Sequence, residues 1–450
     1  MCFARILLGL ALLLALFVFG LEAPAAACPV GNIRVHILAT PKPVLVSADA
    51  GLGLLDVESG EQLATYSGKA QVVFFQDSGN VLLPDGKCVS GVRVVPLEET
   101  RANLLRVDGR GYRGQFEVWA ASDGLIVVNV VGVEDYLRGV VPLEMSPGWP
   151  REALKAQAVT ARTFAYRNVG RHSRENYDLC SQTHCQVYGG ADVETAATDS
   201  AVEETAGLVL KYDDELIDVY YHASSGGYTE SAGAVWGSER PYLQAVEDTA
   251  DLLSSPYTGW EISFSRDELS ELLAAAGIAV GRVETVEPVD WSSSGRTINF
   301  LVRGSSGSEV VSANRLRLAV GANRMKSTWV EVVLASDIPA VSDISMVEDL
   351  TTAVVVQGAR GQAVQVVPSG SAVATSAGVT FVKVRGGGRG VGSRGEQDDH
   401  IVFRGRGYGH GVGMSQWGAK GLAETAPGSD ENFFRQILMH YYTGVTIEPY

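Results

Sequence analysis

Short apolar runs separated by turn-forming residues fill the first part of the chain. Between Ile33 and about Val130, runs such as Val72 to Phe75 and Leu125 to Val128 alternate with Gly, Asp, Ser and Pro. Apolar runs of this length, bounded by turn residues, are typical of β-strands. The pattern therefore predicts a β-rich N-terminal region over residues 28–130.

The apolar spacing changes after Val133. Leu154, Ala158, Ala161 and Ala165 recur at steps of three and four residues, which is the period of one helical face. Because Pro150 suits the first turn of a helix, we predict a helix from about Pro150 to Asn168. Its many alanines allow neighbours to approach closely, so we expect it to lie in the interior.

A second stripe of this helix is polar. Lys155, Arg162 and Tyr166 are spaced to lie along one side. The stripe is either a solvated face or a face turned towards a ligand. We expect Lys155 and Arg162 to contact substrate.

The remaining patterns predict an α+β protein with a β-rich N-terminal region, a central alanine-rich helix and mixed sheets that include a β-rich middle segment. A short helix should lead into strands at 208–210 and 216–221, a capped helix should span 265–277, strands should fill 298–384, and Gly386 to Gly395 should form a flexible loop. The predicted divisions are a signal peptide at 1–27, the β-rich region at 28–130, a catalytic core at 131–247, a middle α/β segment at 248–400 and a Gly-rich motif at 401–450 that completes the core.

The first residues resemble an export signal. Arg5 precedes the apolar or glycine run Ile6 to Leu21, and Pro24 to Ala27 form a small-residue cleavage region. We expect cleavage after Ala27 and a location in the periplasm, the cell wall or the extracellular side of the membrane. Membrane attachment would follow only if the signal stays uncleaved or if Cys28 is lipidated.

The charge balance excludes one class of partner. The 450-residue chain has a formal net charge of -16, whereas nucleic-acid binding rewards clusters of Lys and Arg. We therefore expect no nucleic-acid partner, and a weakly charged polymer fits better.

Glu144 is the candidate acid. It stands directly ahead of the alanine-rich helix between Leu143, Met145 and Trp149. Apolar surroundings favour a protonated carboxyl, and such a carboxyl can donate a proton to a glycosidic oxygen. The alternative is a surface glutamate that supports a helix end.

Two further segments carry groups suited to sugar binding. The first, residues 220–230, contains Tyr221, Ser224 and Ser225. The second, residues 405–419, has glycine at every second position from 405 to 413 and contains Tyr408, His410 and Gln416. Aromatic rings and hydroxyls suit pyranose faces and sugar hydroxyls. His222 beside these serines also allows a serine hydrolase, although the segment contains no Gly-x-Ser-x-Gly motif.

The loop after the helix carries groups that bind metals. Cys180, His184 and Cys185, with His172 upstream, supply the thiolate and imidazole ligands that zinc prefers. A disulfide between Cys180 and Cys185 is the competing interpretation in an exported protein.

Four ordered segments together resemble the SpoIID/LytB family. They are Val133 to Met145, Glu152 to Thr163, Gly207 to Ser225 and Gly407 to Ala419. The resemblance implies lytic cleavage between N-acetylmuramic acid and N-acetylglucosamine of peptidoglycan strands already stripped of stem peptides, with Glu144 as the single catalytic carboxyl. It also implies an N-acetylmuramoyl-L-alanine amidase as a partner. No cofactor is required for this chemistry, and zinc beside the cysteine loop is carried by some members. A non-catalytic amidase enhancer that binds glycan is the alternative.

Overall fold

The computed structural model describes residues 31–98, 100, 103–334, 352–358, 361–367, 372–375, 378–381, 399–426 and 430–450. The expected export signal, Cys28 and the glycine-rich loop at 386–395 lie outside these residues. No helix within the described ranges is both long and apolar enough to cross a membrane.

The described elements form an α+β fold, as predicted. The helices are α1 (Val133–Arg138), α2 (Val141–Glu144), α3 (Arg151–Arg167), α4 (Ala196–Glu204), α5 (Ala232–Trp236), α6 (Thr249–Ser254), α7 (Arg266–Ala275), α8 (Ala313–Val320), α9 (Gln416–Thr425) and α10 (Phe433–Tyr441). The strands are β1 (Asn32–Thr40), β2 (Val44–Ala48), β3 (Leu52–Asp56), β4 (Gln62–Tyr66), β5 (Ala70–Asp77), β6 (Asn80–Leu82), β7 (Cys88–Val89), β8 (Gly91–Pro96), β9 (Leu105–Val107), β10 (Arg110–Tyr112), β11 (Gln115–Ala121), β12 (Gly124–Gly132), β13 (Leu179–Cys180), β14 (Leu208–Tyr212), β15 (Glu215–Leu216), β16 (Tyr221–His222), β17 (Trp260–Ser265), β18 (Val283–Trp291), β19 (Thr297–Gly304), β20 (Gly307–Ser312), β21 (Val330–Leu334), β22 (Thr352–Gly358), β23 (Gly361–Val367), β24 (Ala372–Thr375), β25 (Gly378–Phe381), β26 (His400–Gly405), β27 (Met414–Ser415) and β28 (Thr446–Pro449).

Two sheets make up the N-terminal region. The larger has the order β13-β1-β12-β11-β8-β3-β4, and the smaller has the order β10-β9-β2-β5-β6-β7. Alternate residues of their strands are buried, as Ile33 and Val35 are in β1, because successive side chains of a strand point to opposite faces. At one edge, β13 pairs in parallel with β1, which joins the cysteine loop to this sheet.

Helix α3 is the central helix, and it confirms the prediction from the alanine spacing. Pro150 caps its start and Asn168 its end, and all residues from Ala153 to Ala165 are buried. It contacts α1, α4, α9, α10 and β14. Small side chains allow this many neighbours to approach one helix.

Two residues of the polar stripe of α3, Lys155 and Arg162, are also buried and bond to protein groups, while the third, Tyr166, is half-buried and stacks on Tyr450. Arg162 has no exposed surface, and its guanidinium donates to both carboxylate oxygens of Glu134 at 2.8 and 2.6 Å. It also donates to the carbonyls of Val202 and Leu208. Lys155 forms ion pairs with Glu152 and Glu204. The stripe is therefore neither a solvated face nor an open ligand-facing one.

Three predictions of local structure were wrong in detail. Strands do not fill residues 298–384, because α8 (Ala313–Val320), capped by Ser312, lies within that range. The helix placed within 201–221 begins earlier, at Ala196, where Thr195 caps it. The strand predicted at 216–221 is interrupted, because residues 217–220 lie outside both β15 and β16. The helix predicted at 265–277 is confirmed as α7, with Ser265 as its cap.

The described part of the chain contains two hydrophobic cores. The first joins the N-terminal sheets, the helices around α3 and the C-terminal residues 412–445. The second joins residues 260–330 with Ile401 and Phe403 of β26. Strand β26 therefore leaves the second core and leads directly into the Gly-rich segment that packs on the first.

Replacing Arg162 tests whether it is a structural residue. We expect Arg162→Met to lower the free energy of unfolding by on the order of 3 kcal/mol, because the carbonyls of Val202 and Leu208 are left without their donor and Glu134 loses its partner. Urea unfolding measures this change. The matched control is Arg167→Met, whose partly exposed ion pair with Asp218 should contribute less than about 1 kcal/mol. Equal losses in the two variants would contradict a structural role.

Candidate active site

Two very short strands bring distant segments together. Strand β16 pairs in parallel with β27, so that Tyr221 lies beside Met414 and His222 lies beside Ser415. An isolated bridge between Ser224 and Tyr408 extends the contact. The two segments that the sequence analysis singled out for sugar binding are therefore neighbours.

A buried carboxylate, Asp251, fixes this pairing. It accepts hydrogen bonds from the Ser415 hydroxyl at 2.9 Å, the Ser224 hydroxyl at 2.8 Å and the Gly226 backbone N–H at 2.8 Å. The Ser415 hydroxyl in turn accepts the Gly418 N–H and caps α9. One carboxylate therefore holds both segments and the start of the helix that carries Gln416.

A second acid, Asp248, lies in the same interior. It accepts a hydrogen bond from the Tyr441 hydroxyl at 3.0 Å, and burial together with the neighbouring Asp251 raises its pKa to about 7. Burial also raises the pKa of Asp251, although its hydroxyl and backbone donors oppose that rise. Sequence reasoning missed both residues, since neither belongs to a recognisable motif.

Glu144 ends α2 and is half-buried. Its Oε2 accepts a hydrogen bond from Gln416 Nε2 at 3.3 Å, and the Tyr221 hydroxyl and the Val187 backbone N–H are further donors that lower the pKa of the carboxyl. Burial raises the pKa of Glu144, and these three donors offset part of the rise. The carboxyl is thus oriented by neutral groups in partly apolar surroundings.

Gln186 positions Tyr221, one of the residues beside Glu144, through a hydrogen bond. Its amide oxygen accepts the Tyr136 hydroxyl at 3.2 Å, and its amide nitrogen donates to the Tyr221 hydroxyl at 3.2 Å. The side chain is 1% exposed, so both contacts are made in the interior. Sequence reasoning missed Gln186 and Val187, although both follow Cys185 directly.

Aromatic and apolar side chains adjoin the two segments that meet at Glu144. The Trp149 and Trp417 rings pack with centroids 4.7 Å apart, and Leu143 remains 43% exposed. Exposed apolar surface beside a partly buried carboxyl suits the faces of sugar rings.

The structure separates the predicted substrate contacts into two groups. Tyr221 and Gln416 meet at Glu144, whereas Lys155 and Arg162 bond to residues that do not touch it. Ser224 and Ser225 are fully buried; the Ser224 hydroxyl serves Asp251, and the Ser225 hydroxyl accepts the Gly227 N–H. Among the described residues neither serine bonds to an imidazole, so the geometry does not favour the serine hydrolase alternative.

Tyr408 and His410 lie along the Gly-rich segment rather than at Glu144. The Tyr408 hydroxyl donates to Asn323 at 2.7 Å. His410 Nδ1 accepts the Val412 N–H at 3.0 Å, and its ring packs against Trp236 and His222. Burial and the nearby arginines lower the pKa of His410 to about 4, so the ring is neutral near pH 7.

The four predicted metal ligands come together in one cluster. Ligand atoms of His172, Cys180, His184 and Cys185 all lie within 4.8 Å of one another. Cys185 Sγ is 3.5 Å from His172 Nε2 and 3.6 Å from His184 Nδ1. Zinc bonds of about 2.0–2.3 Å in a tetrahedron place ligand atoms roughly 3.3–3.8 Å apart. The donor set and its spacing therefore fit a zinc ion with little rearrangement.

The fold and site define an α+β protein with one oriented carboxyl and, in the neighbouring loop, a cluster of thiols and imidazoles. A profile described as "Stage II sporulation protein" matches residues 121–212, which include Glu144 and the cysteine loop. The chain is 30% identical to the amidase enhancer of Bacillus subtilis over 80% of this chain and 47% of that protein. It is 27% identical to the stage II sporulation protein D of Bacillus amyloliquefaciens over 71% of this chain and 75% of that protein.

An uncharacterized protein of Brachyspira hyodysenteriae is 29% identical over 76% of this chain and 74% of its own length. The chain thus spans about half the length of the amidase enhancer and three quarters of the other two relatives. These comparisons confirm the resemblance seen in the sequence: the chain belongs to the SpoIID/LytB family.

The raised pKa of Glu144 predicts a pH-dependent effect of Glu144→Gln on stability. As the pH rises through the ordinary glutamate value of 4.5, the unfolded chain ionises while the folded carboxyl keeps its proton, so the wild type loses stability until the folded pKa is passed. The glutamine variant lacks this loss. Its free energy of unfolding, relative to wild type, should therefore increase between about pH 4 and neutral pH.

Urea unfolding at several pH values measures this difference. The matched control is Glu203→Gln, because Glu203 is an exposed glutamate on α4, and its difference from wild type should stay constant. A Glu144→Gln difference that is flat or falls with pH would show that burial does not favour the protonated carboxyl.

Proposed function

We propose that this chain is an exported cell-wall enzyme, a peptidoglycan lytic transglycosylase that acts on glycan strands without stem peptides. The observation that carries the proposal is the half-buried Glu144, whose pKa is raised by burial and whose carboxyl is oriented by Tyr221, Gln416 and Val187. The family relationship supports a role at the cell wall. Export rests on the apolar leader of residues 6–21.

In the proposed reaction, protonated Glu144 donates its proton to the oxygen that links N-acetylmuramic acid to N-acetylglucosamine. The bond from the muramic acid C1 to that oxygen breaks, and the acetylglucosamine end leaves with the proton. The Glu144 carboxylate then takes the proton of the muramic acid 6-hydroxyl, and the oxygen of that hydroxyl bonds to C1. A 1,6-anhydro ring forms, the enzyme regains its starting protonation state, and no water is consumed.

The neighbours of Glu144 suit both halves of this cycle. Burial favours the protonated carboxyl before the first step. The amide, phenol and backbone donors then stabilise the carboxylate that forms. These partners are neutral groups, so Glu144 takes both proton-transfer roles, unlike the paired carboxylates of ordinary glycoside hydrolases.

Digestion of stripped glycan strands tests the reaction. Wild type should release anhydromuramoyl products, and Glu144→Gln should lower the rate by about 10²–10⁴-fold because it removes general acid and base catalysis. Mass spectrometry of products formed in ¹⁸O-labelled water distinguishes the outcomes, since a lytic product gains no oxygen from water. Gln416→Ala is a matched variant that keeps the acid and should lose less activity than Glu144→Gln.

Products that carry ¹⁸O would replace the lytic mechanism with hydrolysis. Full activity in Glu144→Gln would remove Glu144 from the mechanism.

The second candidate function is a non-catalytic amidase enhancer. The relative of that name in Bacillus subtilis favours it. In this case the wild type and Glu144→Gln would both bind stripped glycan without turnover, and both would stimulate an N-acetylmuramoyl-L-alanine amidase equally. Release of anhydro products by the wild type, but not by Glu144→Gln, would support the enzyme over the enhancer.

We also propose that His172, Cys180, His184 and Cys185 hold a structural zinc ion. The fit of their ligand atoms supports this, and a site filled by four protein ligands stabilises structure rather than supplying an open position for chemistry. Such an ion would fix the loop that continues into Gln186 and Val187. The competing arrangement is a disulfide between Cys180 and Cys185, both of which are free thiols here.

Metal analysis of the purified protein separates these alternatives. We expect one zinc per chain, and Cys180→Ser or Cys185→Ser should abolish stoichiometric binding because zinc loses a thiolate ligand. The matched control is Cys88→Ser, since Cys88 is exposed and lies outside the cluster. Absence of zinc together with a Cys180–Cys185 linkage in peptide mapping would show that the loop is closed by a disulfide instead.

A further inference from the structure

An open groove of about 420 Å³ lies on the middle segment, away from the Glu144 carboxyl's own hydrogen-bond partners. We call it the Trp291 groove. It is lined by Thr258, Trp291, Gly295, Trp329, Arg404 and Arg406, among others. Its volume is within the roughly 300–1,000 Å³ typical of sites for small ligands. None of the residues assigned above to catalysis or to the zinc cluster lines it.

Trp291 gives the groove an exposed aromatic wall. It ends β18, and its side chain is 57% exposed, which is unusual for the largest apolar side chain. Tryptophan presents a flat apolar face and loses little conformational freedom when a ligand covers it. A pyranose ring offers a matching flat face of C–H groups.

Trp329 forms a second and more rigid wall. The Arg406 guanidinium stacks 3.2 Å from the centroid of the Trp329 ring, and the Arg406 backbone N–H donates to the Trp329 carbonyl at 3.1 Å. Trp329 is half-buried, so its ring is fixed by the protein rather than by a ligand. A site with one rigid and one exposed tryptophan is preorganised for a flat ring.

The charge of the groove contrasts with that of the chain. Arg404 and Arg406 lie on its wall together with one acidic residue, Glu331, in a protein of net charge -16. Arg404 pairs with Glu261 at 2.5 Å, and its side chain stays 44% exposed. Burial and Arg296 lower the pKa of Arg406 to about 10, which still leaves it positive near pH 7. Guanidinium groups suit planar carboxylates.

Backbone continuity links the groove to Glu144. Gly405 and Arg406 line the groove, and the same segment continues to Gln416, which donates to Glu144. The ten residue-to-residue steps from Arg406 to Gln416 span at most about 35 Å. One polymer several sugars long can therefore reach from the groove to the carboxyl.

We propose that the Trp291 groove is a second glycan-binding site, which stacks an amino sugar on Trp291 and pairs the sugar's carboxylate with Arg404 and Arg406. The proposal rests on the proposed function, since it takes the same strand as ligand. Removal of stem peptides breaks the amide to the lactyl group of each muramic acid and leaves a free carboxylate there. The groove therefore favours stripped strands over neutral polymers of N-acetylglucosamine.

Binding measured without turnover tests the proposal. In the Glu144→Gln background, adding Trp291→Ala should weaken binding of stripped strands about tenfold, as for the loss of an aromatic anchor. The matched control is Leu318→Ala, because Leu318 is also on the middle segment and is 60% exposed; it should bind like the parent. Thermal unfolding of each variant should match the parent, since both side chains are exposed.

A second comparison tests the carboxylate. Arg404→Gln should weaken binding of stripped strands and leave binding of soluble chitin oligosaccharides, which carry no carboxylate, unchanged. Equal binding by the parent and Trp291→Ala would overturn the groove as a glycan site. Equal weakening of both ligands by Arg404→Gln would overturn the pairing with a carboxylate.

The proposal of a glycan-binding groove and the proposal of a lytic reaction can be contradicted independently of each other. Loss of binding in Trp291→Ala, with no anhydro products from the wild type, would support the groove while removing the lytic mechanism. Anhydro products together with undiminished binding in Trp291→Ala would support the lytic mechanism and overturn the groove as a glycan site.

Discussion

The pairing of β16 with β27 is the interaction on which the candidate site depends. It consists of two residues on each side, too few to be stable by backbone hydrogen bonds alone. Asp251 supplies what the pairing lacks, because it accepts donors from Ser224, Gly226 and Ser415 at once. Tyr221 in β16 and Gln416, directly after β27, lie beside Glu144 as a result of this pairing. The positions of Tyr221 and Gln416, two of the three donors to Glu144, are therefore set by a carboxylate that does not touch Glu144.

The loop from Cys180 to Val187 fixes the other side of Glu144. Its thiols and imidazoles form one cluster, and the next two residues contact Tyr221 and the Glu144 carboxyl. The same loop is anchored to the N-terminal sheet through β13. The thiol and imidazole cluster and the residues next to Glu144 are thus adjacent in the chain, so the cluster can affect the position of the Glu144 carboxyl without touching it.

Elements with strong local signals could be predicted from the sequence. Alanines at helical spacing behind Pro150 located α3 within one residue at each end, and the cap at Ser265 located α7. The strand predicted at 216–221 was wrong because apolar residues there are buried by packing rather than by a sheet. The spacing of apolar residues predicts which residues are buried, but it does not predict whether a helix, a strand or a loop buries them.

The site could be predicted only in part for a related reason. Glu144, Tyr221, Gln416 and the four cluster residues carry recognisable chemistry, and the fold brings each set together. Arg162 and Lys155 carry the same kinds of group, yet they pair with the protein's own carboxylates Glu134, Glu152 and Glu204. Asp251 and Gln186 showed no signal, since their importance comes from contacts with residues far away in sequence.

The separation of Glu144 from Gln416 has a consequence for the newly made protein. The two side chains meet across 272 residues of chain, and ribosomes add roughly 5–20 residues per second. Glu144 is therefore added to the chain on the order of 15–55 s before its amide donor exists. During that interval the nascent chain contains Glu144 but not Gln416. The order of translation therefore prevents an unfinished chain from having a complete site.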